Sequence, residues 1–127
     1  MTVDTGKDQT ILVVEDDRLL RQVAVETLTE EGYSAVGTDN ADAALETLQA
    51  LPTVSLLITD VNMPGMSGLE LVWLVHERYP MLQLLVISGR ERIDTKSLPV
   101  NASFLGKPFT ARMFLDEVKR LLDPLST

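Results

Sequence analysis

Residues 54–71 read VSLLITDVNMPGMSGLEL and combine three structural signals in a fixed order. The first six residues are mostly apolar, and their number suits a buried strand. Asp60 follows directly, so this strand would deliver a carboxylate at its C-terminal tip. After a turn that contains a proline and a glycine, Ser67 and Glu70 have the spacing of a capping box. The stretch therefore predicts a strand, an acidic tip and the start of a helix.

The same succession of strand and helix recurs along the chain. Apolar runs predict strands at residues 10–14, 33–38, 54–59, 83–87 and 101–105. Helical periodicity predicts helices at 18–31, from 41 to before Pro52, from 67 to about 79, and from 111 to 122. Strict alternation predicts an α/β, doubly wound fold with a five-stranded parallel sheet and helices on both faces. We expect one domain at 10–123, a polar N-terminal tail at 1–9 and a C-terminal tail at 124–127.

The segment between the fourth and fifth strands departs from this pattern. Residues 90–98 contain five charged side chains, with Ile93 and Leu98 as their large apolar anchors. Pro99 disfavours helical geometry at Leu98. We therefore expect the fourth helix to be short, weakly packed or irregular, and this segment to be the mobile element of the domain.

Composition excludes several classes of protein. The 127 residues include no cysteine, so disulfides and thiolate metal sites are excluded. The net charge of -8 argues against direct binding of nucleic acid. No apolar run approaches the length that crosses a membrane, and no signal peptide is recognisable at the start of the sequence. The expectation is a cytoplasmic protein that binds neither membrane nor nucleic acid.

Polar side chains with related chemistry follow four of the predicted strands. Glu15 and Asp16 follow the first strand, Asp60 the third, Ser88 the fourth and Lys107 the fifth. Ligands of open α/β sheets bind beyond the carboxyl ends of the strands. Three clustered carboxylates repel one another unless a cation joins them, and oxygen ligands suit Mg²⁺. An aspartate can also accept a phosphoryl group covalently. Taken singly, each residue could instead be a helix cap or a solvated side chain.

Four stretches of the sequence resemble the response-regulator receiver domains of two-component signalling systems. They are VVEDD at 13–17, LLITDVNMPGMSGLEL at 56–71, VISG at 86–89 and FLGKPFT at 104–110. The resemblance runs over nearly the whole chain. It implies the flavodoxin-like strand order 2-1-3-4-5.

The resemblance also implies roles for individual residues. Asp60 matches the phosphoacceptor, Lys107 matches the lysine that contacts the phosphoryl group, and Pro108 matches a proline that follows it through a cis peptide bond. The metal ligands implied for Mg²⁺, for which Mn²⁺ can substitute, are the carboxylates of Glu15, Asp16 and Asp60 and the backbone carbonyl of Asn62.

Further expectations concern switching and partners. Ser88 matches the switch hydroxyl and Phe104 the aromatic switch position, which in this family is often tyrosine. Asn62 and Arg90 match positions that modulate dephosphorylation. The resemblance implies that the phosphoryl donor is a sensor histidine kinase or a phosphotransfer protein. It also implies a downstream protein target, and we further expect a phosphorylation-dependent dimer. It implies a phosphoacceptor that promotes its own phosphorylation and dephosphorylation, not an enzyme.

Two other interpretations remain open. A degenerate receiver could act as a constitutive protein-interaction module, although all the site residues are present. A metal-dependent phosphatase with an aspartate nucleophile would resemble this site, but such enzymes usually place a second carboxylate where Asn62 stands. The sequence also leaves open whether the chain is a stand-alone regulator or a piece of a hybrid kinase or longer regulator.

Overall fold

The computed structural model describes residues 9–89 and 93–123, which alternate between strands and helices as predicted. The strands are β1 (Thr10–Val14), β2 (Ser34–Thr38), β3 (Val54–Asp60), β4 (Gln83–Ser88) and β5 (Ala102–Gly106). The helices are α1 (Arg18–Glu30), α2 (Ala41–Ala50), α3 (Gly68–Arg78) and α4 (Ala111–Leu122). The predicted tails, apart from Gln9, lie outside the described residues.

The five strands form one parallel sheet in the order β2-β1-β3-β4-β5, which confirms the predicted fold. Val14 is paired with Thr59, and Asp60 with Ile87, so the carboxyl ends of the central strands lie side by side. All the residues that follow the strands therefore meet at one edge of the sheet, which we call the C-terminal edge.

Each face of the sheet has its own hydrophobic core. Alternate residues of β1 point to opposite faces because the side-chain period of a strand is two. Leu12 and its neighbours pack with α2 and α3, whereas Ile11 and its neighbours pack with α1 and α4. Both residues are fully buried. Burial on both faces explains why the central strands are continuously apolar.

Each helix begins directly after a polar residue whose side chain caps it. In each case the side chain accepts a hydrogen bond from a backbone N–H in the first turn of the helix that follows. The four capping residues are Asp17, Asn40, Ser67 and Thr110. Ser67 and Glu70 form the complete capping box. These local hydrogen bonds fix where each helix starts relative to the end of the strand before it.

A single turn of 3₁₀ helix at Thr95–Ser97 is the helical structure found between β4 and β5 in the described part of this segment. The prediction of a short or irregular fourth helix is thus confirmed. The two predicted apolar anchors hold the described part of this segment, because Leu98 is buried and Ile93 packs against the core beside α3. The indole N–H of Trp73 also donates to the carbonyl of Ser97 at 2.8 Å.

Among the described residues, the helices are all too short or too polar to cross a membrane.

Candidate functional site

Three carboxylates meet at the C-terminal edge. Glu15 and Asp16 follow β1, and Asp60 is the last residue of the adjacent strand β3. One carboxylate oxygen from each of the three lies within 4.8 Å of the other two. Glu15 is only 9 % exposed, whereas Asp16 is exposed, so the cluster has a buried side and an open side.

Crowding and burial change the protonation of this cluster. The pKa of Glu15 is raised from 4.5 to about 7, chiefly because the carboxyl is buried and further because Asp60 is close. The backbone N–H of Asp17 donates to Glu15 Oε2 at 3.0 Å and opposes this rise. Lys107 opposes it more weakly. Without a cation, the cluster therefore tends to retain a proton near neutral pH.

The donor set fits a hard divalent cation. Three carboxylate oxygens converge from two strands, and one side of the cluster is open for water and other oxygen ligands. Mg²⁺ typically binds through a few carboxylates and keeps several waters. Such an ion would offset the repulsion by Asp60, which adds to the effect of burial on the pKa of Glu15.

Ser88 and Lys107 lie at the ends of the next two strands. Lys107 Nζ is 3.9 Å from Asp60 Oδ2, and the backbone N–H of Lys107 donates to the carbonyl of Ser88 at 2.8 Å. Ser88 is buried, and it follows Ile87, the residue paired with Asp60. The peptide bond between Lys107 and Pro108 is cis, as the resemblance implied.

Asn62 and Phe104 are the other predicted site residues that the structure describes. The backbone N–H of Asn62 is 3.4 Å from Asp60 Oδ1, at the start of the loop that leads to α3. Phe104 is half-buried and packs against the core beside α2 and α3. Its ring lies 3.5 Å from the position that a Cβ on Gly106 would take. Arg90 lies outside the described residues.

Sequence reasoning missed the contribution of Gly68. A Cβ on this residue would lie 2.0 Å from the backbone carbonyl oxygen of Asp60, well inside contact distance. Only glycine lets the start of α3 approach the tip of β3 this closely. The available signal was a glycine at the first helical position, directly after the cap Ser67, where it favours the helix poorly.

Arg21 is the second residue that sequence reasoning missed. Its Nη1 donates to the backbone carbonyl of Glu15 at 2.8 Å. Helical periodicity places Arg21 on α1 but does not predict that its side chain turns back toward the end of β1.

The comparisons with known proteins agree with this geometry. The sequence-family model of the response regulator receiver domain matches residues 11–119 of the chain. The chain belongs to the response regulator receiver family. Receiver domains take part in two-component signalling, and acceptance of a phosphoryl group is general for the family.

Individual relatives differ in length. The chain is 43 % identical over 113 residues to the response regulator protein FleR of Pseudomonas aeruginosa, covering 87 % of this chain and 24 % of FleR. It is 36 % identical to the response regulator receiver protein CpdR of Brucella abortus, covering 88 % of this chain and 95 % of CpdR. A response regulator receiver protein from Pseudomonas putida superimposes with a TM-score of 0.80 and 31 % identity, covering 88 % of this chain and 96 % of that one. The receiver thus spans about a quarter of one relative and nearly all of another.

Proposed function

We propose that the chain is a phosphoacceptor switch in which Asp60 receives a phosphoryl group in the presence of a divalent cation. The observation that carries this proposal is the convergence of Glu15, Asp16 and Asp60 within 4.8 Å, with Lys107 at 3.9 Å from Asp60. The proposed cation is Mg²⁺, with Mn²⁺ as a substitute, held by the three carboxylates and by the backbone carbonyl of Asn62. When bound, it would offset negative charge on the phosphoryl oxygens.

Three side chains would take part in the transfer, those of Asp60, Lys107 and Ser88. A carboxylate oxygen of Asp60 attacks phosphorus, a new O–P bond forms, and the bond from phosphorus to a histidine nitrogen of the phosphoryl donor breaks, which releases that histidine. The ammonium of Lys107 stabilises the charge of the transferring group, and the hydroxyl of Ser88 donates a hydrogen bond to it. Water later attacks phosphorus, the O–P bond to Asp60 breaks, inorganic phosphate leaves, and the carboxylate of Asp60 is restored.

The phosphoryl donor we propose is a phosphohistidine of a sensor kinase or of a phosphotransfer protein. Family membership supports this choice. We propose that the domain acts in the cytoplasm and is a phosphoacceptor that promotes its own phosphorylation and dephosphorylation, not an enzyme. Ser88 and Phe104 would change position on phosphorylation and alter a protein-binding face, with a dimer as one outcome. Asn62 and Arg90 would set the lifetime of the phosphoryl group.

The constitutive interaction module is the second candidate. It would require that the site bind no phosphoryl group, but the paired position of Lys107 and Asp60 favours phosphorylation. Because the same domain forms a quarter of FleR and nearly all of CpdR, the proposal concerns the domain and applies to a chain of either kind.

Intact mass measurement tests the proposal. We would incubate the wild type with acetyl phosphate, with Mg²⁺ or with a chelator, and compare Asp60→Asn with Asp39→Asn. Asp39 is a matched control because it is an exposed aspartate that follows β2 at the same edge. The expected result is one added phosphoryl group on the wild type and on Asp39→Asn, only with Mg²⁺, and none on Asp60→Asn. Unmodified wild type in Mg²⁺ would favour the interaction module, and equal labelling of Asp60→Asn would refute the assignment.

A further inference from the structure

All three polar groups of Glu15 are held by hydrogen bonds. Its backbone N–H donates to the carbonyl of Thr38 on β2 at 3.0 Å, and its carboxylate accepts the N–H of Asp17 at 3.0 Å. Its backbone carbonyl accepts from Arg21 Nη1 at 2.8 Å. This last bond differs from the others because it comes from a side chain on α1, one turn beyond the cap of that helix.

The path of the Arg21 side chain depends on Gly37. Gly37 is in β2, paired with Val13 of β1. A Cβ on Gly37 would lie 2.9 Å from Arg21 Cγ and 3.1 Å from Arg21 Cδ, so the aliphatic part of Arg21 occupies the space that a larger residue would need. Both atoms lie in the middle of the side chain, and moving them would displace the guanidinium at its end. Gly37 therefore leaves the space that the Arg21 side chain needs to reach the carbonyl of Glu15.

The carbonyl that Arg21 contacts belongs to the peptide unit that joins Glu15 to Asp16. Fixing this peptide orients both residues, because its rotation would swing the two side chains away from Asp60. Asp16 is exposed, so packing around its side chain constrains it weakly. The orientation of its carboxylate therefore depends on the backbone, besides its hydrogen bond with the carboxyl of Glu15.

We propose that Arg21 is a positioning residue for the metal site, holding the peptide between Glu15 and Asp16 so that both carboxylates face Asp60. This inference rests on the proposed function. Arg21 contacts a backbone carbonyl next to the cluster, so it is expected to change the affinity for the cation and to leave the chemical step unchanged.

The first test is a titration of the metal-free protein with Mg²⁺ by calorimetry. Arg21→Met keeps most of the aliphatic packing and removes the donor, and its dissociation constant for Mg²⁺ should rise about tenfold, as for other residues that orient metal ligands. Phosphorylation by acetyl phosphate should need about tenfold more Mg²⁺ for half its maximal rate, with the rate at saturating Mg²⁺ unchanged. A role in stability alone would not produce this separation of affinity from rate.

The second test leaves Arg21 in place. Gly37→Ala should weaken Mg²⁺ binding in the same direction, and the double variant with Arg21→Met should bind no more weakly than Arg21→Met alone. Independent, additive losses would show that Gly37 does not act through Arg21 and would overturn the paired mechanism.

Two controls separate this inference from the proposed function. Arg18→Met removes the same charge from the first position of α1, where the side chain is exposed, and should bind Mg²⁺ like the wild type. Asp16→Ala should lose most Mg²⁺ affinity. If Asp16→Ala binds weakly but Arg21→Met binds normally, the positioning role is wrong and the metal site stands. If Asp16→Ala also binds normally, the proposed site itself is wrong.

Discussion

Glu15→Gln should make the metal-free protein more stable at alkaline pH and should flatten the pH dependence of its stability. Glutamine keeps a side-chain oxygen to accept the N–H of Asp17, but it carries no charge in the crowded cluster. A pKa raised from 4.5 to about 7 corresponds to a cost of about 3 kcal/mol for ionising Glu15 in the folded state. This is the upper limit of the stability that the substitution can recover.

The sign follows from the direction of the shift. Because its pKa is raised on folding, Glu15 holds its proton more tightly in the folded protein than in the unfolded chain. The resulting stabilisation is fully present below pH 4.5 and is lost as the pH rises through about 7. Roughly 2 kcal/mol of the change falls between about pH 5.5 and about pH 8.

Urea unfolding in a chelator at these two pH values measures the effect. The free energy of unfolding of the wild type should fall by up to roughly 2 kcal/mol more than that of Glu15→Gln across this range. Glu46→Gln, on the exposed side of α2, is the matched control and should follow the wild type. Added Mg²⁺ should stabilise the wild type at the higher pH, since a ligand of the folded state adds to its stability. Parallel pH profiles for the wild type and Glu15→Gln would refute the reasoning.

Three further substitutions test the contacts around the site. Gly68→Ala should lower the free energy of unfolding by about 3 kcal/mol, because its Cβ would collide with the carbonyl of Asp60; a wild-type urea midpoint would contradict this. Lys107→Met should slow phosphorylation by acetyl phosphate without weakening Mg²⁺ binding, since it removes a positive charge near Asp60; weaker binding in calorimetry would argue otherwise. Trp73→Phe removes the hydrogen bond to Ser97 and should lower the free energy of unfolding by about 1 kcal/mol. Amide exchange at 95–98 should be faster than in the wild type, with no change in α4. Equal exchange at 95–98 in the two proteins would show that Trp73 does not anchor this segment.

Helix starts were predictable from sequence because their determinants are local. Ser67 bonds to a backbone N–H three residues away, and Glu70 returns the bond, so both partners of the capping box lie within four residues. Strand ends were less predictable. β3 and β4 each continue one residue beyond the prediction, to Asp60 and Ser88, because partners on neighbouring strands extend the ladder.

The composition of the candidate site was predictable for a different reason. A parallel sheet brings the carboxyl ends of its strands to one edge, so residues far apart in sequence meet without any specific contact being known. The contacts that shape the site escaped prediction because each joins two elements. Gly68 meets the tip of β3 at the start of α3, and Arg21 crosses Gly37 to reach the end of β1. Neither the separation of Gly68 from Asp60 nor that of Arg21 from Gly37 follows from the repeat of a helix or a strand, so the sequence pattern does not predict these contacts.

The charges of the cluster connect its stability to its proposed chemistry. With Glu15 ionised, the cluster carries three negative charges, and among the residues that the structure describes the ammonium of Lys107 lies 3.9 Å from Asp60 and offsets part of them. Backbone hydrogen bonds at Glu15 and the close approach of Gly68 keep these carboxylates together despite their repulsion. Binding a divalent cation would offset negative charge in this cluster, and would thereby both reduce the repulsion of the metal-free state and prepare Asp60 to accept an anionic phosphoryl group. A single arrangement of side chains thus leads us to expect both the metal requirement and a loss of stability of the metal-free protein at alkaline pH.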